Sequence, residues 1–338
     1  MKPNRRLFPL SLCLAASPIL QAAIFYEGGH TGYAYLTHSD TDTVISYDWG
    51  ASGDLYYMTS GGYPDVDVWK TSGGTTSNIY ANANNYAGAS VVAVGDYVYF
   101  NDSTTSNTQN IWKYGPTSGG SASAQLASTT HNWGLYKNGG ALYMTGAVGF
   151  GTNQVFYSPL GSNGGLLNDP ATDLGTTFGS SGPLAFDAAG NMYYAPGFGD
   201  TSIYRWSAAQ ITAAIADPTH SPLPTTGVLW YDYSSDFSVS GGTGMAIDDD
   251  GNLVLSLTDF TNPSALVEFL VDDVTGSFAG YETLLTSTDR LGDVRFYDGE
   301  LYVAAGNQIL QIVPEPSVGA LAMAAAAGCL VLSRRRKA

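Results

Sequence analysis

The sequence predicts an all-β protein, a six-bladed β-propeller, and three observations carry that prediction. A short strand–loop–strand phrase recurs six times. A glycine marks the same place in each copy. Those glycines, Gly53, Gly95, Gly140, Gly190, Gly251 and Gly299, stand 42, 45, 50, 61 and 48 residues apart. Periods of about 40–50 residues with several short strands each are the mark of propeller blades, because one four-stranded sheet and its turns fill that length. A seven-bladed ring and an open two-sheet arrangement are the alternatives.

Each copy sets a glycine-led strand before an aromatic one. The pairs are residues 53–58 with 66–70, 95–100 with 110–114, 140–144 with 154–157, 190–194 with 202–206, 251–255 with 265–269, and 299–303 with 308–312. The Gly-Asp and Gly-Asn pairs at the turns supply the positive φ angles of tight hairpins. The tyrosines and valines that follow favour a pleated, half-buried surface. A first strand precedes the glycine, as at 90–94, 183–186 and 244–247, and a fourth follows the aromatic strand, as at 77–81, 125–127 and 228–233. The long 61-residue interval holds a predicted helix over 207–217, inserted in blade four. Ser207 is its N-cap, alanine fills its body, and Pro218 stops it. The last copy ends at Val313 with three strands, while residues 33–37 form a strand without a blade. The economical closure places that strand in blade six and joins the two ends of the chain. Trp69, Trp112 and Trp206 hold equivalent places in their copies, which assigns them to inter-blade core rather than to sugar stacking.

The two termini read differently from the body. Lys2, Arg5 and Arg6, an apolar run over 7–20 and the exit Gln21-Ala22-Ala23 form a secretory signal peptide. Its Arg5-Arg6 pair loosely resembles a twin-arginine signal. At the other end stand Pro314, Glu315 and Pro316, an apolar run over 318–333, then Arg334, Arg335, Arg336 and Lys337. An apolar stretch closed by four cations behaves as a stop-transfer element and predicts a C-terminal hydrophobic helix. At about 1.5 Å per residue the run spans roughly 24 Å, short of the roughly 30 Å hydrocarbon core, so it would hold a membrane weakly.

Tripeptide, apolar span and basic end, in that order, resemble the PEP-CTERM sorting signal of Gram-negative bacteria. The resemblance covers residues 313–338. It implies handling by an exosortase-type membrane protease, transient or permanent anchoring in the inner membrane, and delivery to the envelope, outer surface or extracellular polysaccharide; an ordinary C-terminal membrane anchor is the alternative. The chain then divides into a signal peptide (1–23), a propeller domain (24–313) and a sorting segment (314–338).

Both cysteines, Cys13 and Cys329, lie in the processed ends, so the body has neither disulfides nor thiolate chemistry. Seven of the 13 basic residues lie there too. The body keeps 6 basic and 28 acidic residues, a net charge of 6 − 28 = −22. Such a field repels nucleic acid and anionic lipid and leaves cations, basic polymers and neutral glycans as partners.

Motifs for catalysis are sparse. His30, His38, His131 and His220 show no metal-ligand spacing, although His30 and His38 are close enough in sequence to share an edge. Nucleophile-elbow, P-loop and dinucleotide patterns are absent from the sequence. The run Asp248-Asp249-Asp250-Gly251-Asn252 is a calcium candidate by its oxygen density, but it also coincides with a predicted turn. Asp65, Asp67, Asp272 and Asp273 read the same way. The repeat architecture resembles secreted bacterial propellers with NHL-like or lactonase-like repeats. That resemblance implies acidic and amide residues gathered round a divalent metal in the channel, and Asp187, Asn191, Asp232 and Asp236 are of the right kind. No catalytic, cofactor-binding or metal residue is assigned. The expected role is binding or structural, toward a glycan or an envelope protein. A metal-dependent hydrolase or lyase at the channel is the alternative.

Overall fold

A computed structural model describes residues 23–314, apart from 63–64, 83–89, 106–107, 118–121, 130–133, 148–151, 170 and 260. The signal peptide before Ala23, His131, Glu315, Pro316, the predicted C-terminal helix and the cluster Arg334–Lys337 lie outside the described residues.

Among the described residues twenty-five strands form six antiparallel sheets, and one helix accompanies them. The chain opens with β1 (Ile24–Tyr26) and β2 (His30–Thr37). Blade one follows as β3 (Thr43–Trp49), β4 (Leu55–Gly62), β5 (Asp65–Ser72) and β6 (Thr75–Asn82). Blade two is β7 (Val91–Val94), β8 (Tyr97–Thr105), β9 (Thr108–Gly115) and β10 (Ala122–Thr129). Blade three is β11 (Gly134–Asn138), β12 (Ala141–Ala147), β13 (Asn153–Pro159) and β14 (Thr172–Thr176). Blade four is β15 (Leu184–Phe186), β16 (Met192–Tyr194), β17 (Ser202–Trp206) and β18 (Leu229–Asp232). Blade five is β19 (Gly242–Ile247), β20 (Leu253–Leu257), β21 (Ser264–Val271) and β22 (Phe278–Ser287). Blade six is β23 (Leu291–Tyr297), β24 (Glu300–Ala305) and β25 (Gln308–Pro314). The ring has six blades, and the seven-bladed and two-sheet alternatives fall away.

Closure follows the predicted route. β2 pairs antiparallel with β25 from His30 opposite Pro314 to Thr37 opposite Gln308, so blade six takes its outermost strand from the start of the chain. The sequence reading missed β1, which adds a fifth strand to the outside of blade five, with Ile24 opposite Ser287 and Tyr26 opposite Leu285. Ile24 and Tyr26 turn inward against the apolar layer between blades five and six, while Phe25 between them is exposed. Helix α1 (Ala208–Ala216) sits between β17 and β18, where it was expected. The Ser207 side chain accepts from the Gln210 amide, and the Gln210 side chain accepts from the Ser207 amide, a capping box that satisfies two otherwise orphaned N–H groups. Ile211 and Ala214 bury its inner face beside Trp206.

The core is divided six ways, one apolar cluster per blade interface. Tyr47 and Tyr57 meet Tyr302 and Ile309 between blades one and six, and Trp69 packs there. Trp112 packs between blades one and two, and Trp206 between three and four. Each of these tryptophans faces the preceding blade, which explains why they recur at one position of the repeat. Trp206, fully buried, still donates from Nε1 to the Pro224 carbonyl at 2.9 Å.

Near the axis the innermost strands converge, and polar side chains and amides join them. Ser46 Oγ accepts from the Val91 amide at 2.9 Å, and Ser90 Oγ from the Leu135 amide at 2.9 Å. Thr145 Oγ1 donates to the Gly182 carbonyl at 2.9 Å, and the Gly242 amide to the Pro196 carbonyl at 2.9 Å. Thr243 Oγ1 donates to the Leu291 carbonyl at 2.8 Å, and Arg295 Nε to the Tyr47 carbonyl at 3.2 Å. Every neighbouring pair of blades is therefore joined near the axis. Gly244 shows how close the strands come, since a Cβ there would lie 2.5 Å from the Val294 nitrogen.

These contacts set an expectation for stability. Ile309, fully buried on the closing strand, leaves a cavity when shortened, so Ile309→Ala costs about 2–5 kcal/mol. Ser207→Ala removes only the helix cap and costs about 1 kcal/mol. Urea denaturation of the two variants should show that order.

Candidate functional site

The innermost strands surround a funnel of about 830 Å³ that opens on one face of the ring. Its wall comes from the ends of strands and the loops on that face. Blade one contributes residues 41–45 and 60–62, blade four 181–183 with Gly197 and Phe198, blade five Gly242, Thr243, Thr258 and Asp259, and blade six 289–293 and Gly306. Ser90, Tyr136 and Thr145 complete the described lining. Hydroxyls and glycines dominate this wall, and Phe198 stands at the rim 53 % exposed. A chamber of about 250 Å³ adjoins the rim and shares Asp259 and Arg290 with it.

The floor is a buried charge layer. Asp293 lines the funnel, and its Oδ2 accepts from Ser46 Oγ and from the Arg295 guanidinium, each at 2.8 Å, while Oδ1 accepts from the Val294 amide at 3.0 Å. Burial pushes the Asp293 carboxyl above its ordinary value, and the Arg295 charge works against that rise. A second pair lies one step along the inner strands. Asp48 Oδ2 accepts from Lys137 Nζ at 2.7 Å and from the Ala93 amide at 2.8 Å. Tyr136, beside Asp293, has its phenol raised by burial and by that carboxylate, so it stays protonated and acts as a donor. Ser46 and Ser90 are held in inter-blade bonds and are not poised as nucleophiles.

The mouth carries the other acids. Asp259 accepts from the Thr261 and Asn262 amides at 2.7 Å each and from Asn262 Nδ2 at 2.8 Å, and these bonds hold its carboxyl below the ordinary range. Asp42 lies above the ordinary value, raised by partial burial and by the neighbouring Asp40 and Asp65 charges.

The candidates named from sequence do not meet here. Asp187 and Asn191 bond each other across the β15–β16 turn, with Asn191 Nδ2 donating to Asp187 Oδ2 at 2.7 Å. Asp232 ends the outermost strand of blade four, where Thr201 Oγ1 donates to it at 3.1 Å, and Asp236 accepts from the Tyr231 hydroxyl. His30 and His38 sit at opposite ends of β2 rather than together. His30 Nδ1 lies 3.1 Å from the Glu27 carbonyl, whereas His38 is buried between Tyr57 and Asp40. His220 pairs with Asp217 after the helix. Among the described residues no three His, Cys, Asp or Glu side chains gather as a metal site, and no helix is long and apolar enough to cross a membrane.

The run Asp248–Asn252 forms a turn. Asp248 Oδ1 accepts from the Asn252 amide at 2.7 Å and Oδ2 from Asn252 Nδ2 at 3.1 Å, repeating the Asp187–Asn191 arrangement of blade four. Asn252 Nδ2 also donates to Glu268 Oε1 at 3.0 Å, and Glu268 stands opposite Glu282 across β21 and β22. Burial first, and then the Asp248 carboxylate, push Glu268 up to about 7.

Comparison with known proteins finds relatives of shape only. No family model matches the sequence, and no curated protein sequence matches it. A calcium structure of a Trichoderma reesei carbohydrate-active enzyme of family AA12 is similar at TM-score 0.59 and 10 % identity, covering 86 % of this chain and 97 % of that one. A luciferin-regenerating enzyme gives 0.52 and 12 %, covering 87 % and 95 %. The PQQ-bound aldose sugar dehydrogenase from Streptomyces coelicolor gives 0.52 and 12 %, covering 88 % and 99 %. The likeness is one of fold.

Two predictions follow from the buried charges. Arg295→Met strands the Asp293 carboxylate and should cost about 3–5 kcal/mol, most of it recovered when Asp293→Asn is added, as read by chemical denaturation. Glu268 holds its proton to about pH 7 in the folded chain and releases it near the ordinary glutamate value of 4.5 when unfolded. The native state therefore binds more protons between those values, and its stability falls as pH rises through that window. Glu268→Gln should flatten the slope, so melting temperatures of both proteins across pH 4.5–7.5 would converge at the acid end and separate at the neutral end.

Proposed function

We propose that this chain is an exported propeller, delivered to the cell envelope or its surrounding polysaccharide, that binds a carbohydrate ligand in the funnel without covalent chemistry. The funnel carries this reading. It is a concave, preformed cavity of about 830 Å³, a size suited to a small ligand, walled by hydroxyls with an aromatic ring at the rim. Its floor groups are committed to holding the blades together, which favours binding over turnover.

Export is supported by the signal peptide and by the PEP-CTERM-like tail. Pro314, the first residue of that motif, is also the last residue of β25 and is exposed, so the motif starts where the propeller stops. Removal of the tail by an exosortase-type protease would leave the closing sheet intact. The thiol-free, strongly acidic body suits an oxidising exterior and stays soluble there.

Both parts can be tested. Expressed in a Gram-negative host with exosortase activity, the protein should be recovered outside the cytoplasm, beginning at Ala23 or Ile24 and lacking the residues after the 314–316 motif by mass spectrometry. Cytosolic material with both ends intact would overturn the export reading. Glycan-array binding should be lost on Ser60→Trp, which fills the funnel from the edge of blade one, while the melting temperature holds. Binding that survives this substitution would place the ligand elsewhere.

A further inference from the structure

The charges round the funnel narrow the class of ligand. Its described lining contains four carboxylates, Asp42, Asp259, Asp289 and Asp293, and one base, Arg290. The body's other five bases are engaged away from the mouth. Lys70 pairs with Asp54 at 2.8 Å, Lys137 with Asp48 at 2.7 Å and Arg295 with Asp293 at 2.8 Å. Lys113 donates to the Asn163 carbonyl at 2.7 Å, and Arg205 lies 4.0 Å from Asp187. Asp293 is already paired with Arg295, so three carboxylates face one base at the mouth, and a concave site with a net excess of one sign of charge concentrates ions of the other sign. The hydroxyls of Thr43, Ser60, Ser181 and Thr243 line the same cavity and match a polyhydroxylated molecule.

We propose that the funnel takes an amino sugar with free amines, the sugar lying on the hydroxyl-lined wall and an ammonium meeting the carboxylates of Asp42 and Asp289 at the blade-one and blade-six edge. Both acids line the cavity together with Thr43. Asp42 lies against Gly61, and Asp289 against Gly306, whose carbonyl accepts from the Val44 amide at 2.8 Å. Both neighbours are glycines, so backbone rather than side chain borders each carboxylate. Asp42, raised by partial burial and by the Asp40 and Asp65 charges, is favoured in its ionised form when a cation enters. An N-acetylated sugar has the same hydroxyls and no such charge, and an acidic sugar is repelled.

This inference rests on the funnel being the binding site, and the experiment separates the two. Full-length protein is titrated calorimetrically with a β-1,4-linked glucosamine tetramer, its fully N-acetylated counterpart and a uronic-acid tetramer, at low and at raised sodium chloride. The glucosamine tetramer should bind at least about tenfold more tightly than the acetylated one, with the advantage shrinking in salt. Asp42→Asn and Asp289→Asn should each weaken it by about tenfold, the scale of one charge-assisted hydrogen bond, and Ser60→Trp should abolish it. Equal affinity for the acetylated tetramer, with binding still lost on Ser60→Trp, overturns the amine preference and leaves the funnel as the site. Glucosamine binding that Ser60→Trp leaves unchanged is diffuse attraction to an acidic surface and overturns both, as does a failure of all three sugars to bind.

Discussion

Everything in this fold depends on the ring being closed, and closure is made by main-chain hydrogen bonds between the two ends of the chain. Six sheets round an axis leave two edges unless the last sheet borrows from the first. The pairing of β2 with β25 over His30–Thr37 and Gln308–Pro314 removes that gap. It also places Ile309 and Leu36 beside Tyr47 and Tyr57, so the layer between blades six and one is as apolar as the others. Each interface cluster can form only when the neighbouring blade is in place. The propeller's burial is thus cooperative round the whole circle, although the contacts within each blade are local.

At the axis the governing constraint changes from apolar burial to space. The inner strands approach until a Cβ at Gly244 would meet backbone, and serine and threonine replace bulk with directed bonds. The blade-six to blade-one junction also carries a charge pair, Asp293–Arg295, and through it Ser46 and the Tyr47 carbonyl. A buried ion pair gains little over apolar packing in stability, but its geometry is demanding. Here it fixes the register of the junction where the chain has to meet itself. The same pair seals the funnel from below, so the junction that completes the ring also gives the cavity its floor.

Much of this was legible in the residues. The glycine period named the blades, the orphan strand near Tyr33 named its partner, and Ser207 with Pro218 bounded the helix, because each signal is local and has one dominant physical cause. β1 escaped because three residues, with only Ile24 and Tyr26 turned inward, leave too short an alternation to register beside a signal peptide. The site escaped for a different reason. Asp48, Lys137, Asp293 and Arg295 meet only because inner strands of three blades converge, and nothing in one strand reports which carboxylates face the axis. Asp187, Asn191, Asp232 and Asp236 were equally plausible by type, yet two serve a turn and two lie at the outside of blade four. In hindsight one trace was present. Ser46 reaches Val91, Ser90 reaches Leu135, and Asp48 reaches Ala93, each 45 residues on, the period of the repeat itself.

The direction in which β25 runs has a consequence for how the molecule presents itself. Gly306, just before that strand, borders the funnel, while Pro314 at its far end lies past the β23–β24 turn on the other side of the disc, some eight residues or roughly 26 Å away. Ala23, by contrast, bonds Thr288 on the funnel's own side. Whatever grips the polypeptide beyond Pro314 holds it from behind, like a dish on its stem, with the bowl turned toward the surroundings.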